Sequence, residues 1–355
     1  MCKRIFANQT SEQGDVPFFK IGTIGGTPDA YITRDLFEEY KAKYNYPHEG
    51  EVMITCAGTV GKTIVFDGED AYFQDSNIVW LSNPKQLYIN SFLNYVLSRV
   101  NWNILNSTTI TRIYNDNLRE LVINYPSIKE QEKIVALLSL LDRRIAIQNK
   151  VIEDLKKLRC ALEERMLGQC QGKQVRLRDI LIERVEKSRI NNQYEVLSST
   201  VSGIYSQREY FNKEIASADN TGYKAIHRGD VVLSPQNLWM GNINYNDRFE
   251  IGIVSPSYKV FSIDEKFDKG YIAFLLKTRK ALWAYSLVSE QGASIVRRNL
   301  NYESFLEISF VIPSLKEQQA TARRLSAFKQ KQTMEEAFLR SLLLQKEFML
   351  KSLFI

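Results

Sequence analysis

Apolar side chains recur every three to four residues from Ser127 to Leu167, the spacing that lays one stripe along a helix. Placing Leu138, Ile145, Ile152, Arg159 and Met166 at heptad position a, and Ile134, Leu141, Gln148, Leu155 and Leu162 at d, makes eight of the ten apolar, the pattern of a coiled-coil seam. Ser127 is followed three residues later by Glu130, a capping-box spacing, with Pro126 just ahead. Gly168 and Gly172 end the pattern. About 40 residues at ~1.5 Å each predict a rod of roughly 60 Å. A second such segment runs from Ser314 to Leu353 and starts with the same cap, Ser314 and Glu317. Its stripe of Leu325, Phe328, Leu339, Leu342, Met349 and Leu353 is interrupted by Gln332, Glu335 and Lys346. Two such helices in one chain would most simply bury their stripes on each other. The leftover apolar positions Leu137, Leu140, Phe338, Leu343 and Leu344 point to extra partners.

Ahead of each long helix the pattern changes. Short β-type runs at 52–55, 63–66 and 77–81 are separated by turn residues such as Asp67-Gly68. Helical stretches appear near 35–44 and 91–101. The second region repeats this with runs at 230–234, 242–245 and 257–261, then a helix near 270–287. The sequence itself repeats. Pro-Ser-Ile-Lys-Glu-Gln at 126–131 returns as Pro-Ser-Leu-Lys-Glu-Gln at 313–318. Glu49-Gly50-Glu51-Val52-Met53-Ile54 echoes Arg228-Gly229-Asp230-Val231-Val232-Leu233. Leu118, Leu121, Val122 and Ile123 line up with Phe305, Ile308, Ser309 and Phe310. Three matches in the same order identify an internal duplication. The expected fold is therefore α+β in two copies, each a mixed region followed by a long helix. The boundaries are 1–126, 127–172, 173–312 and 313–355.

The 355 residues, 44% hydrophobic, 25% charged and 11% aromatic, are those of a soluble globular protein with room for two or three domains. No apolar run approaches the roughly 20 residues that span a bilayer, and no signal peptide opens the chain, so the expectation is a cytoplasmic protein with no membrane partner. Cys2, Cys56, Cys160 and Cys170 form no CxxC pair and read as free thiols in a reducing compartment. The net charge of +6 is unevenly placed: −3 over 1–126, +3 over 127–175, +2 over 176–312 and +4 over 313–355. The excess sits in the two helical segments, so nucleic-acid binding does not follow from charge alone.

Readings as an enzyme find little support. The stretch Cys56-Ala-Gly58-Thr-Val-Gly61-Lys62-Thr63 approaches a phosphate-binding loop, but Cys56 stands where glycine is required. The following Ile64-Val65-Phe66 reads as a strand, where such a loop must open a helix. The repeat copy, 235–242, keeps only its glycine. His48 and His227 are the sole histidines, each just before a turn of the repeat; with scattered cysteines they make a zinc site unexpected. No methyltransferase tetrad, dinucleotide fingerprint or paired carboxylates stand out, so no catalytic or metal-binding residue is assigned.

In its tandem plan and motifs the chain resembles the specificity (S) subunit of type I restriction–modification systems. The resemblance covers nearly the whole chain. It rests on the Pro-Ser-x-Lys-Glu-Gln opening of each helix, on Val16-Pro17-Phe18-Phe19-Lys20-Ile21-Gly22, on residues 50–54 with Val60-Gly61-Lys62, and on Leu155-Lys156-Lys157-Leu158. The resemblance implies two target-recognition domains, each reading one half of a bipartite site on double-stranded DNA. It implies that the two helices form an antiparallel coiled coil that sets the half-site spacing, giving approximate internal two-fold symmetry. Two methyltransferase subunits would dock on this chain, and restriction or translocase subunits can join them. S-adenosylmethionine, ATP and Mg would be used by those partners, with no cofactor bound here. The chain departs from the family at its start. Val175-Arg176-Leu177-Arg178-Asp179-Ile180 opens the second module as the family's usual first strand does, whereas the first module begins at Met1 without one. Either the start is trimmed or the first module is shortened, so the integrity of its sheet edge is the point at issue.

Base readout needs side chains that make paired hydrogen bonds to base edges, held in register by phosphate contacts. Two places per module supply them. The loop between the repeated strands offers Thr59 and Lys62 in the first, and Gln236, Asn237, Trp239 and Asn242 in the second. The stretch before the last strand and helix offers Thr109, Thr111, Arg112, Tyr114 and Asn115, matched by Ser294, Arg297, Arg298 and Asn299. Lys20 is added by the resemblance. Any one of these is as readily a solvated loop side chain, and Trp239 as readily core. The seam residues Ile134, Leu138, Leu141, Ile145, Ile152, Leu155, Leu162, Leu325, Phe328, Leu339, Leu342 and Met349 are the expected helix and subunit interface. The competing readings are a purely structural coiled-coil scaffold and, more remotely, a nucleotide-binding enzyme using the loop from Gly58 to Lys62.

Overall fold

A computed structural model describes residues 1–102, 112–211, 219–291 and 297–354. The chain divides into two compact units, residues 1–148 with 338–355 and residues 149–337. Both divisions fall inside a long helix, so each unit holds one lobe together with parts of both helices.

The first unit contains β1 (Val16–Phe19), β2 (Tyr31–Ile32), α1 (Arg34–Lys43), β3 (Val52–Thr55), β4 (Thr63–Val65), β5 (Tyr72–Phe73), β6 (Ile78–Leu81), α2 (Asn90–Arg99) and α3 (Asn115–Arg119). It also holds the start of α4 (Ile128–Gly168). Two three-stranded sheets carry the lobe, in the orders β2-β1-β5 and β4-β3-β6. All four residues of β3 are buried, as a central strand covered on both faces requires. The aromatic cluster of Phe37, Tyr46, Phe66, Tyr72 and Phe73 fills one core, with Tyr46 edge-on to Phe66 at 5.8 Å. A second core gathers Val52, Ile54, Leu93, Leu97 and Trp102.

The second unit opens with β7 (Lys173–Arg176), the single turn α5 (Leu177–Ile180) and β8 (Leu181–Glu183). There follow β9 (Leu197–Ser199), β10 (Ile204–Ser206), α6 (Gln207–Phe211), β11 (Lys224–His227) and β12 (Asp230–Leu233). A 3₁₀ turn (Pro235–Met240) leads to β13 (Ile243–Tyr245), β14 (Ile251–Val254), β15 (Lys259–Ile263), α7 (Lys269–Leu275) and α8 (Arg279–Leu287). The lobe ends with β16 (Ser289–Gln291), β17 (Arg298–Leu300), α9 (Tyr302–Glu307) and β18 (Ser309–Ile312), and α10 (Leu315–Leu353) begins. Its main sheet is β13-β12-β15-β8, and β18 pairs with β7. The helix predicted near 270–287 is two helices. The Thr278 hydroxyl donates to Leu275 O at 2.8 Å, closing α7. It also accepts from Ala281 N–H at 3.2 Å, capping α8.

The duplication is visible residue by residue. Glu51 and Asp230 are buried and accept from the backbone N–H of His48 (2.9 Å) and His227 (2.8 Å) in matching turns. Gln131 and Gln318, the last residues of the repeated hexapeptide, are buried at the first turn of α4 and α10. Gln131 Oε1 accepts from Ile89 N–H at 2.8 Å, and its Nε2 donates to Pro126 O at 2.9 Å. Gln318 Oε1 accepts from Asp268 N–H at 2.9 Å, and its Nε2 donates to Pro313 O at 2.9 Å. Ile89 and Asp268 are the caps of α2 and α7. One carboxamide thus satisfies the start of one helix and the approach to another.

Within each unit the two long helices run antiparallel. In the first, Ile134, Leu138 and Leu141 pack with Met349, Leu350 and Leu353, and Lys346 Nζ meets Asp142 Oδ1 at 2.5 Å. The other oxygen of Asp142 accepts from Tyr95 on α2 at 2.8 Å. In the second, Lys156 faces Glu336 at 3.8 Å, and Leu162 and Leu167 pack in the core that holds Ala322 and Leu325. Ile145, Leu155, Phe328 and Leu339 are half-buried, Ile152 and Leu342 buried. The polar interruptions Gln332, Glu335 and Lys346 sit half-buried on the seam. Gln332 donates to Glu336 at 2.9 Å.

The clamp gives the first prediction. Gln318→Ala strands two buried backbone groups and should lower the unfolding free energy by about 1–3 kcal/mol, read by urea denaturation. Gln319→Ala, on the exposed side of the same turn, should change it by less than about 0.5 kcal/mol. Equal losses for the two variants would contradict the clamp.

Candidate nucleic-acid interface

In each lobe the hairpin leaving the central strand carries the candidate loop. The backbone frame is shared: Thr55 N–H donates to Lys62 O, and Ser234 N–H to Asn242 O, both at 3.0 Å. Gly61 and Gly241 occupy the same place with φ of +83° and +90°, a conformation that side-chain-bearing residues resist. A Cβ at Gly61 would lie 2.1 Å from Trp102 Cδ1, and one at Gly241 would lie 2.8 Å from Leu282 Cδ2. The retained glycine is a backbone requirement in both copies.

What the frame presents differs between the copies. In the first lobe the loop is an irregular turn running into β4. Thr59 and Lys62 are exposed. The Lys62 ammonium donates to Ile24 O, which ties the turn after β1 to the loop. Lys20, from that turn, pairs with Asp29 at 3.1 Å. The stretch after residue 111 joins them, because Ile113 N–H donates to Cys56 O at 2.9 Å. Arg112 beside it donates to Ser76 O and Oγ at 3.4 Å. Tyr114 and Asn115 are exposed at the start of α3. Among the described residues, these bonds bring the turn after β1, the 56–62 loop and the stretch from Arg112 together after the end of β3. Thr109 and Thr111 lie outside the described residues.

In the second lobe the loop is the 3₁₀ turn, and it packs on β17 and α8. The Arg298 guanidinium lies over the Trp239 ring at 4.1 Å, a cation–π contact. Gln236, Arg297 and Asn299 are exposed, and Asn237 is half-buried. Asn299 stands opposite Glu290, and Arg298 opposite Gln291, in the β16–β17 pair. Trp239 is half-buried between core and surface, holding Arg298. Ser294 lies outside the described residues. The expectation for Asn242 is corrected. It is 4% exposed, accepts from Ser199 Oγ at 2.7 Å and donates to Ser199 O at 2.9 Å. With Asn244, which donates to Thr200 O at 2.7 Å, it forms a buried polar cluster linking β9 to β13. The sequence shows Gln236, Asn237 and Asn242 among turn signals. It gave no sign which one turned inward, since the partner Ser199 is about 40 residues away.

The 56–62 loop runs into strand β4 rather than opening a helix, and the Lys62 ammonium donates to the Ile24 carbonyl, unlike the arrangement of a phosphate-binding loop. Burial pushes the Cys56 thiol up to about 11, which keeps it protonated near neutral pH. Among the described residues no three His, Cys, Asp or Glu side chains form a cluster that could hold a metal. No described helix is long and apolar enough to cross a membrane.

Comparison with known proteins places this geometry. The family described as type I restriction modification DNA specificity domain matches residues 1–157 and 173–342. A putative type I restriction enzyme specificity subunit of Haemophilus influenzae is 50% identical over 155 residues, 44% of this chain. The match spans 40% of that relative's length. Among solved structures, the S subunit of a type I restriction–modification system from M. genitalium aligns over 100% of this chain and 92% of its own, with a TM-score of 0.58 at 18% identity. A second structure, from a study of complex assembly and conformational transition of the type I R-M system, aligns over 95% of this chain and 90% of its own, with a TM-score of 0.56 at 12% identity. At those identities the two structures speak to the fold: tandem mixed domains with long helices. With the family pattern covering both repeats, the chain belongs to the type I restriction–modification DNA specificity family.

Proposed function

We propose that this chain is the DNA-reading subunit of a type I restriction–modification complex, each lobe binding one half of a bipartite site. One observation carries the reading: a single backbone frame, kept by Gly61 and Gly241, displays unlike side chains in the two copies. Thr59, Lys62 and Arg112 stand on one, Gln236, Asn237, Trp239 and Arg298 on the other. Duplicated scaffolds with diverged loops suit a target whose halves differ in sequence. Arg and Gln are the side chains best able to make paired bonds to base edges, and Lys and Arg the best at phosphates.

The helices serve as spacer and dock in this proposal. Their lengths would set the separation of the half-sites. Apolar side chains left outside the seam, Leu137, Leu140, Ile147, Leu344 and Phe348 in the first unit and Leu158 and Met334 in the second, are exposed. Exposed apolar rows of this kind fit protein partners, here two methyltransferase subunits and, where present, restriction or translocase subunits. Those partners would bring S-adenosylmethionine, ATP and Mg, and this chain would act without catalysis. A scaffold with no DNA contact would not need lobes that differ at equivalent loops.

Three outcomes are expected. Lengthening α4 and α10 together by about one turn, ~5.4 Å, should change the preferred half-site spacing in methylation mapping; an unchanged spacing would refute the ruler. Exchanging residues 1–125 for those of a relative should alter one half of the recognised sequence and leave the other intact. Arg298→Ala should weaken DNA binding by about 1–3 kcal/mol and relax preference in the second half-site alone, scored by binding to single-base variants of the mapped site. Uniform loss on every sequence would assign Arg298 to phosphate contact instead.

A further inference from the structure

The first hairpin of each lobe approaches the candidate loop, and the two hairpins are counterparts by topology. β1 pairs antiparallel with β2 and parallel with β5. β9 pairs antiparallel with β10, and Val196 just ahead of it bridges Ile253 of β14 in parallel. In the first lobe the Lys62 ammonium joins the turn after β1 to the loop through Ile24 O. In the second lobe the same junction is made by a lysine from elsewhere in the chain. Lys277, between α7 and α8, donates to Gly241 O at 2.8 Å and to Val201 O at 3.2 Å. One ammonium thus holds the exit of the 3₁₀ turn beside the tip of the β9–β10 hairpin.

Further bonds fix the tip from beneath. Asn244 Nδ2 donates to Ser199 Oγ and to Thr200 O, both at 2.7 Å. Tyr258 OH donates to Ser199 O at 3.2 Å. The turn closes on itself through Thr200 N–H to Gly203 O at 2.8 Å and Ser202 N–H to Thr200 Oγ1 at 3.1 Å. These bonds fasten the backbone of the tip and leave the side chains of Val201 and Ser202 out. Both residues are exposed, and the Ser202 hydroxyl has no bond to another described residue. Side chains presented in fixed positions by a clamped backbone need little ordering when they meet a ligand. The neighbouring turn carries Gln236 and Trp239, with Arg298 stacked on the indole.

We propose that the tip at Val201 and Ser202 is a further specificity-determining segment of the second lobe, contacting base edges of duplex DNA. Lys277 is the positioning residue that sets this tip against the 3₁₀ turn. A hydroxyl donates to or accepts from a base edge, and an apolar side chain meets a thymine methyl. The inference rests on the DNA-reading proposal and adds to it residues that no pattern in the sequence singled out.

The test measures binding of the full chain to a labelled duplex carrying the site found by methylation mapping, and to its single-base variants. Ser202→Ala and Val201→Ser, both at exposed positions, should alter preference at one or two base pairs of the second half-site by roughly five-fold or more. Preferences in the first half-site should not move. Lys277→Met should flatten preference at the same base pairs, and Lys277→Arg, whose guanidinium can span the same two carbonyls, should restore it. Lys280→Met, exposed on the same corner, should keep the wild-type preferences. Unchanged preferences in both tip variants would overturn the inference while leaving the DNA reading intact. Uniform loss on every sequence in Lys277→Met, with a shallower dependence on salt, would make Lys277 a phosphate contact and overturn its positioning role. A wild-type chain that does not distinguish the mapped site from its variants would overturn the DNA reading, and this inference with it.

Discussion

A buried carboxamide at the first turn of each long helix ties that helix to its lobe, and much else in the fold follows from it. The cap of α2 or α7 leaves an N–H to satisfy, and the turn into α4 or α10 leaves a carbonyl. Gln131 and Gln318 answer both with one side chain, accepting at one atom and donating at the other. The geometry needs an amide of that length: glutamate cannot donate, and asparagine is one methylene short. This is why the hexapeptide repeats so closely while the surrounding loops do not. The lobe is thereby locked to the axis of its helix, so a loop carried by the lobe keeps its orientation to the rod.

What was legible in the sequence was whatever a local pattern dictates. The heptad stripe defined both long helices to within a residue, since 3.5-residue spacing sustained over some 40 residues has no other use. The central strands at 52–55 and 230–233 were plain because strands buried on both faces read as near-continuous apolar runs, broken here only by Thr55 and Asp230 at their ends. Strands β1, β2 and β5, and most of those in the second lobe, were missed; they are two to four residues long, too short for alternation to register. The break at Thr278 was missed because a lone threonine inside an apolar helical run gives a weak signal. At the site, sequence reasoning pointed to loops and could not say which way each side chain turned. Asn242 shows the limit, since its inward fate depends on Ser199 and Asn244.

The candidate surfaces share a division of labour. Glycine and the backbone pairs at Thr55–Lys62 and Ser234–Asn242 hold the loop's path, and none of these depends on the outward side chains. Lys62 and Asn242 occupy equivalent backbone positions, one exposed and tied to a carbonyl, the other buried in a polar cluster. Outward positions are free to vary because stability resides beneath them.

The charged contact between α4 and α10 bears on alignment. Lys346 reaches Asp142, whose second oxygen is already engaged by Tyr95 from the lobe. Sliding one helix past the other by a heptad would keep most apolar layers matched but would leave that carboxylate and that ammonium each facing a hydrocarbon layer. Misalignment is therefore penalised at this rung, as it is where Lys156 faces Glu336, which helps a mostly apolar seam settle on a single pairing.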